Sequence, residues 1–383
     1  MAIDNKDKKI LNVPPLRFPE FSGEWDSFKL VELGKFIGGG TPSSSNLSFW
    51  TGSIPWISSS DIKEDNINNI SISRYITEEA IEKSATKYCP APVILIVSRV
   101  GVGKVALSHT SLCTSQDFCN IIEIKCHPVF LSYNLLRTMK RKSREVQGTS
   151  IKGITSDELQ KMRVFIPKNK DEQNKISNLL TLLDERIATQ NKIIEDLKKL
   201  KSAISERLFK SVKGFTVLLS DLCDIVKGKQ INGENLSDSG NYYVMNGGTE
   251  PSGYYDNYNV EASTISISEG GNSCGYVQFN TSPFWSGGHC YSIQNIADKV
   301  DNMYLYHYLK SNEDAIMKLR IGSGLPNIQK KDLAMFKIIV PKIEWQIKIS
   351  TFLSSLERKA EIEERIQNVM QKQKLYLLQQ MFI

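Results

Sequence analysis

The 383-residue chain has seven cysteines but no CxxC pair, and only four histidines. Its apolar runs, such as residues 92–97, fall far short of the roughly 20 residues a membrane-spanning helix requires. Cys113, Cys119, Cys126 and His127 lie close together, yet their gaps do not match structural zinc spacing. His109, His289 and His307 have no partner at helical or paired spacing. The chain also offers no convincing Cys/His couple and no framed pair of carboxylates. These absences predict a chain without an active site, metal or cofactor of its own. The opening MAIDNKDKKILNVPP has a charged head and no apolar stretch behind it. A cytoplasmic protein with reduced thiols is expected, with residues 1 to about 12 as a disordered tail.

The stretch Gly101-Val102-Gly103-Lys104-Val105-Ala106 follows an apolar run and matches GxGxxA, the opening of a dinucleotide-binding helix. The following LSHTSLCTSQ has β-branched and turn residues where the first helical turns belong, so no βαβ unit can be drawn. As a phosphate-binding Walker loop it also fails, because Ser98 stands at the first glycine and Val105 at the metal-holding Ser or Thr. The glycines either turn a hairpin or let backbone approach another group closely.

Hydrophobic residues make up 40% of the chain and aromatics 9%, an ordinary globular composition at a length that calls for two domains or more. The net charge of +6 is unevenly spread: +3 over 26–150, +4 over 151–212, −5 over 213–325 and +4 over 326–383. That is compatible with a nucleic-acid partner but not with a uniformly basic surface.

The chain repeats itself. GTSIKGITSDELQKMRVFIPK at 148–168 returns as GSGLPNIQKKDLAMFKIIVPK at 322–342, aligning Ile154 with Ile328, Leu159 with Leu333 and Pro167 with Pro341. After one deleted residue Gln173 aligns with Gln346, and the match runs on to Phe209 and Phe382. A period near 174 residues describes a duplicated half-molecule. The leads into the two halves, FKLVELGKFIGGG at 28–40 and TVLLSDLCDIVKG at 216–228, both place Leu, Leu and then Ile or Val on one helical face. Each variable segment reads as strand, Gly-rich turn, strand and later helix: a strand from Val93 and a helix over 129–144 in the first, ASTISISEGGNSCGYVQF and the helix NMYLYHYLKSNEDAIMKL in the second.

After each repeated Pro the pattern turns helical. Ile176, Leu180, Leu183, Ile187, Ile194, Leu197, Ile204 and Leu208 recur at steps of four and three, interrupted by Gln190 and Lys201. Ile349, Leu353, Leu356, Ala360, Met370, Leu377 and Met381 continue the seam in the second copy, broken by Glu363, Gln367 and Lys374. A helix over 172–210 would be about 60 Å long at ~1.5 Å per residue, too long to bury in a small domain. Its natural partner is the other copy, in an antiparallel coiled coil. Lys201 and Lys374 are equivalent and could fix the register by a polar contact.

These features together resemble the specificity subunit of type I restriction-modification enzymes: LRFPEFSGEW near the start, the Gly…Ile…Leu…Ile-Pro connection followed by DEQNKISNLLTLLD, and its second copy with WQIKISTFLSSLE. The resemblance implies a mixed α/β fold. Two globular target-recognition domains, 26–150 and 213–325, would alternate with shared connectors and long helices, 151–212 and 326–383, after a lead-in over 1–25. It implies a non-catalytic subunit that reads a bipartite, asymmetric target in double-stranded DNA. Two modification subunits using S-adenosylmethionine, and restriction subunits using ATP and Mg, would assemble on it. The candidate contacts are polar or cationic residues of Gly-rich loops and helix ends. In the first domain and its connection these are Thr41, Ser43, Ser58, Ser60, Arg99, Lys104, the cluster Lys140, Arg141, Lys142 and Arg144, and Thr149 and Lys152. In the second they are Lys227, Lys229, Asn246, Ser323 and Asn327. The rival expectation is a non-catalytic coiled-coil adaptor whose two domains bind ligands other than DNA.

Overall fold

A computed structural model describes residues 11–146, 153–322, 324 and 326–383. The chain divides into two compact units: residues up to Gln190 with Ile366–Ile383, and Asn191–Arg365. The division falls inside both long helices, Lys170–Ser211 and Ile343–Gln380, so each unit holds part of each.

Unit 1 is built on a four-stranded antiparallel sheet in the spatial order Lys35–Gly38, Cys119–Ile122, Val93–Ile96, Val105–Ser108. The last three strands are buried throughout, and the helix Pro128–Val146 covers them with Phe130, Leu131, Leu135 and Met139. A second sheet joins Ile54–Ile57 in parallel to Leu112–Thr114, with Arg74–Ile76 and Tyr88–Cys89 at its edges. GVGKVA is the hairpin turn between Val93–Ile96 and Val105–Ser108, with Gly101 at φ +88° and Gly103 at φ +112°, backbone that side chains with a Cβ rarely adopt.

Unit 2 repeats this plan. Its main sheet has the order Asp224–Lys227, Cys290–Gln294, Thr264–Ser268, Val277–Asn280, all antiparallel. Its second sheet again contains one parallel pair, Tyr242–Met245 with Trp285–Ser286. The covering helix is shorter than the sequence suggests, because Asn312 caps Asn302–Ser311 and a second helix, Glu313–Met317, follows. The leads also differ from the single helical face expected. Each is strand, one short turn and strand, and the first strand pairs with the repeated connection: Asp26–Lys29 with Arg163–Ile166, and Phe215–Leu218 with Lys337–Val340. The repeated Pro, Pro167 or Pro341, thus follows the end of a two-stranded ribbon.

The aligned glutamines perform one task. Gln173 accepts from His127 N at 3.0 Å and donates to Pro167 O at 2.9 Å; Gln346 accepts from Asp301 N at 2.9 Å and donates to Pro341 O at 2.9 Å. Each buried amide ties ribbon, long helix and the start of the covering helix together, and satisfies backbone groups that would otherwise be orphaned.

Within each unit the two helical segments run antiparallel. In unit 1, Trp25 contacts both Glu172 and Phe382, and Lys374 reaches Asp184. In unit 2, Lys198 pairs with Glu364 and Lys201 with Glu357. Ile176, Leu180, Ile187, Ile194, Ile349, Leu353, Met370 and Met381 are buried as the heptad reading expects, while Leu183, Leu197, Ile204, Leu208, Leu356 and Leu377 are half-buried. The seam is more polar than that reading, since Ser177, Asp184 and Ser205 are buried beside the expected breaks Gln190 and Lys374. Most of the expected N-terminal tail lies outside the described residues, but Asn12 is held by Trp25, whose N donates to Asn12 O at 2.8 Å.

Candidate nucleic-acid interface

The repeated connection ends against the same end of the same sheet in both units. Ile154 N donates to Ser98 O at 2.7 Å just past Val93–Ile96, and Ile328 N donates to Glu269 O at 2.8 Å just past Thr264–Ser268. The neighbouring strand is fixed alike, with Ser98 N donating to Asp117 O at 2.8 Å and Glu269 N to His289 O at 2.9 Å. Two loops that are remote in sequence therefore meet at the end of each sheet.

In unit 1 they enclose an open cleft of about 590 Å³ lined by Gly38, Gly39, Ser98, Arg99, Gln116 and Gly153 among others. A Cβ on Gly153 would sit 2.6 Å from Ser98 O, so only glycine lets the connection lie this close. Arg99 is exposed at the rim and has no acidic or hydrogen-bonding partner among the described residues. Thr41 donates to Gln116 there.

The other unit 1 candidates are dispersed. Ser58 binds Ser60, Asp61 and Arg74 within its own loop, Ser43 faces Ser45, and Lys104 Nζ donates to Ser59 O at 3.2 Å. Lys140 is engaged by Asp65 at 2.5 Å, while Arg141 and Arg144 stay exposed on the same helix end with Lys142 between them. Thr149, Lys152 and Ser323 lie outside the described residues.

In unit 2, Lys227, Asn246 and Asn327 do converge. Lys227 Nζ lies 2.7 Å from Glu269 Oε1, which also accepts from Tyr291 Oη at 3.0 Å. Asn246 Oδ1 accepts from His289 N at 3.2 Å, and Asn327 bridges backbone to Gly270 and Ile321. Lys229 is exposed beside them, its carbonyl taking the Trp285 indole N–H at 2.9 Å. Glu269 was missed as a site residue, although SEGGNS marks its loop; the signal that finds it is its equivalence to Ser98.

The cysteines supply no reactive thiolate, although Cys119 lines the unit 1 cleft. Burial pushes the Cys89 and Cys126 thiols up to about 12 and Cys113 to about 11, far from reactive thiolate. Among the described residues no cluster of three or more His, Cys, Asp or Glu could hold a metal ion, and no helix is long and apolar enough to cross a membrane.

Two units of one topology, each with polar and cationic residues where a shared connection meets a sheet end, define a duplicated recognition scaffold. The chain belongs to the family of the type I restriction modification DNA specificity domain, whose model matches residues 22–199 and 214–372. It is 34% identical over 197 residues to the Type I restriction enzyme MjaIX specificity subunit of Methanocaldococcus jannaschii, covering 49% of this chain and 43% of that one. It is also 34% identical over 192 residues to the EcoR124I/EcoR124II specificity subunit of Escherichia coli, covering 48% and 46%. The chain thus spans less than half the length of these two curated relatives. The crystal structure of the S subunit of a type I restriction-modification system from M. genitalium has the same fold, with a TM-score of 0.66 at 19% identity over 97% of this chain and 99% of that one.

Proposed function

We propose that this chain is the specificity subunit of a type I restriction-modification complex. Each unit reads one half of a bipartite, asymmetric target in double-stranded DNA. The chain itself is non-catalytic and cytoplasmic. Methylation with S-adenosylmethionine belongs to two modification subunits that assemble on it, and ATP/Mg-driven restriction to further subunits. The observation that carries this reading is the docking of one connection on equivalent sheet ends, Ile154 on Ser98 and Ile328 on Glu269. A catalyst needs one site; two equivalent sheet ends differing in their side chains suit two different half-sites. The exposed cations near the sheet ends and at the helix end, Arg141, Arg144, Lys227 and Lys229, supply phosphate contact.

The test is binding to duplex DNA by the chain assembled with its modification subunits. Affinity that drops steeply between low and moderate salt, and methylation of a split motif only when this chain is present, support the reading. Methylation of the same motif without this chain contradicts it.

A further inference from the structure

The two sheet ends exchange a side chain for a glycine across the same gap. In unit 1 the residue after Ser98 is Arg99 and the facing residue of the connection is Gly153, where a Cβ would come within 3.2 Å of the Arg99 Cα and Cγ. In unit 2 the residue after Glu269 is Gly270 and the facing residue, by the repeat, is Asn327. A Cβ on Gly270 would lie 3.9 Å from the Asn327 Cβ. One functional side chain thus occupies this position in each unit, from opposite sides: arginine from the sheet, asparagine from the connection.

Both side chains are exposed, and neither the Arg99 guanidinium nor the Asn327 amide has a hydrogen-bond partner among the described residues. Their backbones, by contrast, lie at or beside bonded positions. Arg99 follows Ser98, whose N and O are both bonded, and Asn327 N and O pair with Ile321 at 3.0 and 2.8 Å. A free polar head anchored at or next to a bonded residue suits direct readout of a base edge, because its reach is limited and no internal bond must be broken.

The neighbours differ to match. Lys227 beside Asn327 is held by Glu269, which keeps a cation near the asparagine without competing for its amide. Arg99 stands beside Gln116 and Ser98 and brings its own charge.

Resting on the DNA-reading function above, we propose that Arg99 and Asn327 determine one base pair in each half of the target. Arg99 reads a G·C pair through guanine O6 and N7, and Asn327 an A·T pair through adenine N6 and N7, the bidentate pairings their geometries allow. Arg141, Arg144 and Lys229 contribute to affinity without choosing bases.

The experiment maps the methylated motif, by sequencing, in cells carrying the modification subunits with the full-length chain as wild type, R99A or N327A. Both side chains are exposed, so the variants fold. R99A is expected to make a single G·C position in one half degenerate, lowering discrimination there about ten- to a hundredfold, with the other half intact. N327A is expected to do the same to an A·T position in the opposite half. An unchanged motif in either variant overturns the assignment of that residue, and loosening of both halves together overturns the one-residue, one-half scheme. Uniformly reduced methylation of an unchanged motif also overturns it, since that marks phosphate contact. A wild-type chain that directs no split motif defeats the DNA-reading function itself.

Discussion

Lys374 of the second long helix donates to Asp184 of the first with both side chains buried, 6% and 3% exposed, and Tyr133 Oη donates to the other Asp184 oxygen at 2.8 Å. The repeat aligns Asp184 with Glu357 and Lys374 with Lys201, and in unit 2 Lys201 lies 2.6 Å from Glu357, which also accepts from Tyr306 Oη at 3.2 Å. One acid–lysine–tyrosine contact is therefore built twice, each time from the acid of one copy and the lysine of the other. Burial pushes the Asp184 carboxyl above its ordinary range against the pull of Lys374 and Tyr133. The unit 1 contact accordingly works less as a net stabiliser than as a register lock, because an offset helix would bury an unpaired charge.

Truncating one partner of that lock, D184A or K374A, should cost about 3–5 kcal/mol in the unit 1 transition. E357A, at a partly exposed pair, should cost about 1 kcal/mol or less. Chemical denaturation of the whole chain measures both. Joint replacement of Asp184 and Lys374 by Leu and Met should recover most of the loss, and a double variant as unstable as the singles would contradict the lock.

The same reciprocity predicts how half a chain behaves. Residues 1–212 retain Asp184 and Lys201, so two copies in antiparallel array can form the contact twice, Asp184 of one with Lys201 of the other. Sedimentation should show a dimer, D184K should dissociate it, and D184K/K201E should restore it. With modification subunits the dimer should mark an interrupted palindrome of one half-motif. A stable monomer, or a dimer indifferent to charge reversal, counts against the pairing.

His307 makes unit 2 sensitive to acid. Burial lowers its pKa from 6.5 to about 4, with Lys201 lowering it further and Glu357 and Asp301 pulling it up, and Nε2 lies 2.9 Å from Ser354 Oγ. The unfolded chain takes up the proton near pH 6.5 and the folded chain near pH 4, so this stability is full above 6.5 and is lost as pH falls toward 4. The effect amounts to roughly 3 kcal/mol across the window. H307N should flatten the slope of unfolding free energy between pH 6.5 and 4.5, and an unchanged slope would assign it to other groups.

Much of the architecture was legible because it rests on spacing. The heptads of Ile176 and Ile349, the Gly101 turn and the duplication of the connection itself all follow from local pattern, whereas the ribbons that the leads form with it do not. What was hidden depends on residues far apart in sequence. Lys201 and Lys374 were visible as breaks in the seam, but their acids were not, since the register that pairs them is tertiary. Lys140 and Lys227 read as free cations until Asp65 and Glu269 are seen beside them. The exchange of Arg99/Gly153 for Gly270/Asn327 could not be read either, because it requires knowing which strand end the connection meets.

The central claim is that each unit reads its own half-site. Because the first strand of each unit pairs with the shared connection, the segment to exchange is 35–152, which leaves Asp26–Lys29 paired with Arg163–Ile166. Replacing it by the corresponding segment of another family member, and sequencing the methylated sites that result, tests the claim most directly. The account predicts a motif in which one half is new and the other is unchanged; a motif altered in both halves, or in neither, would contradict it.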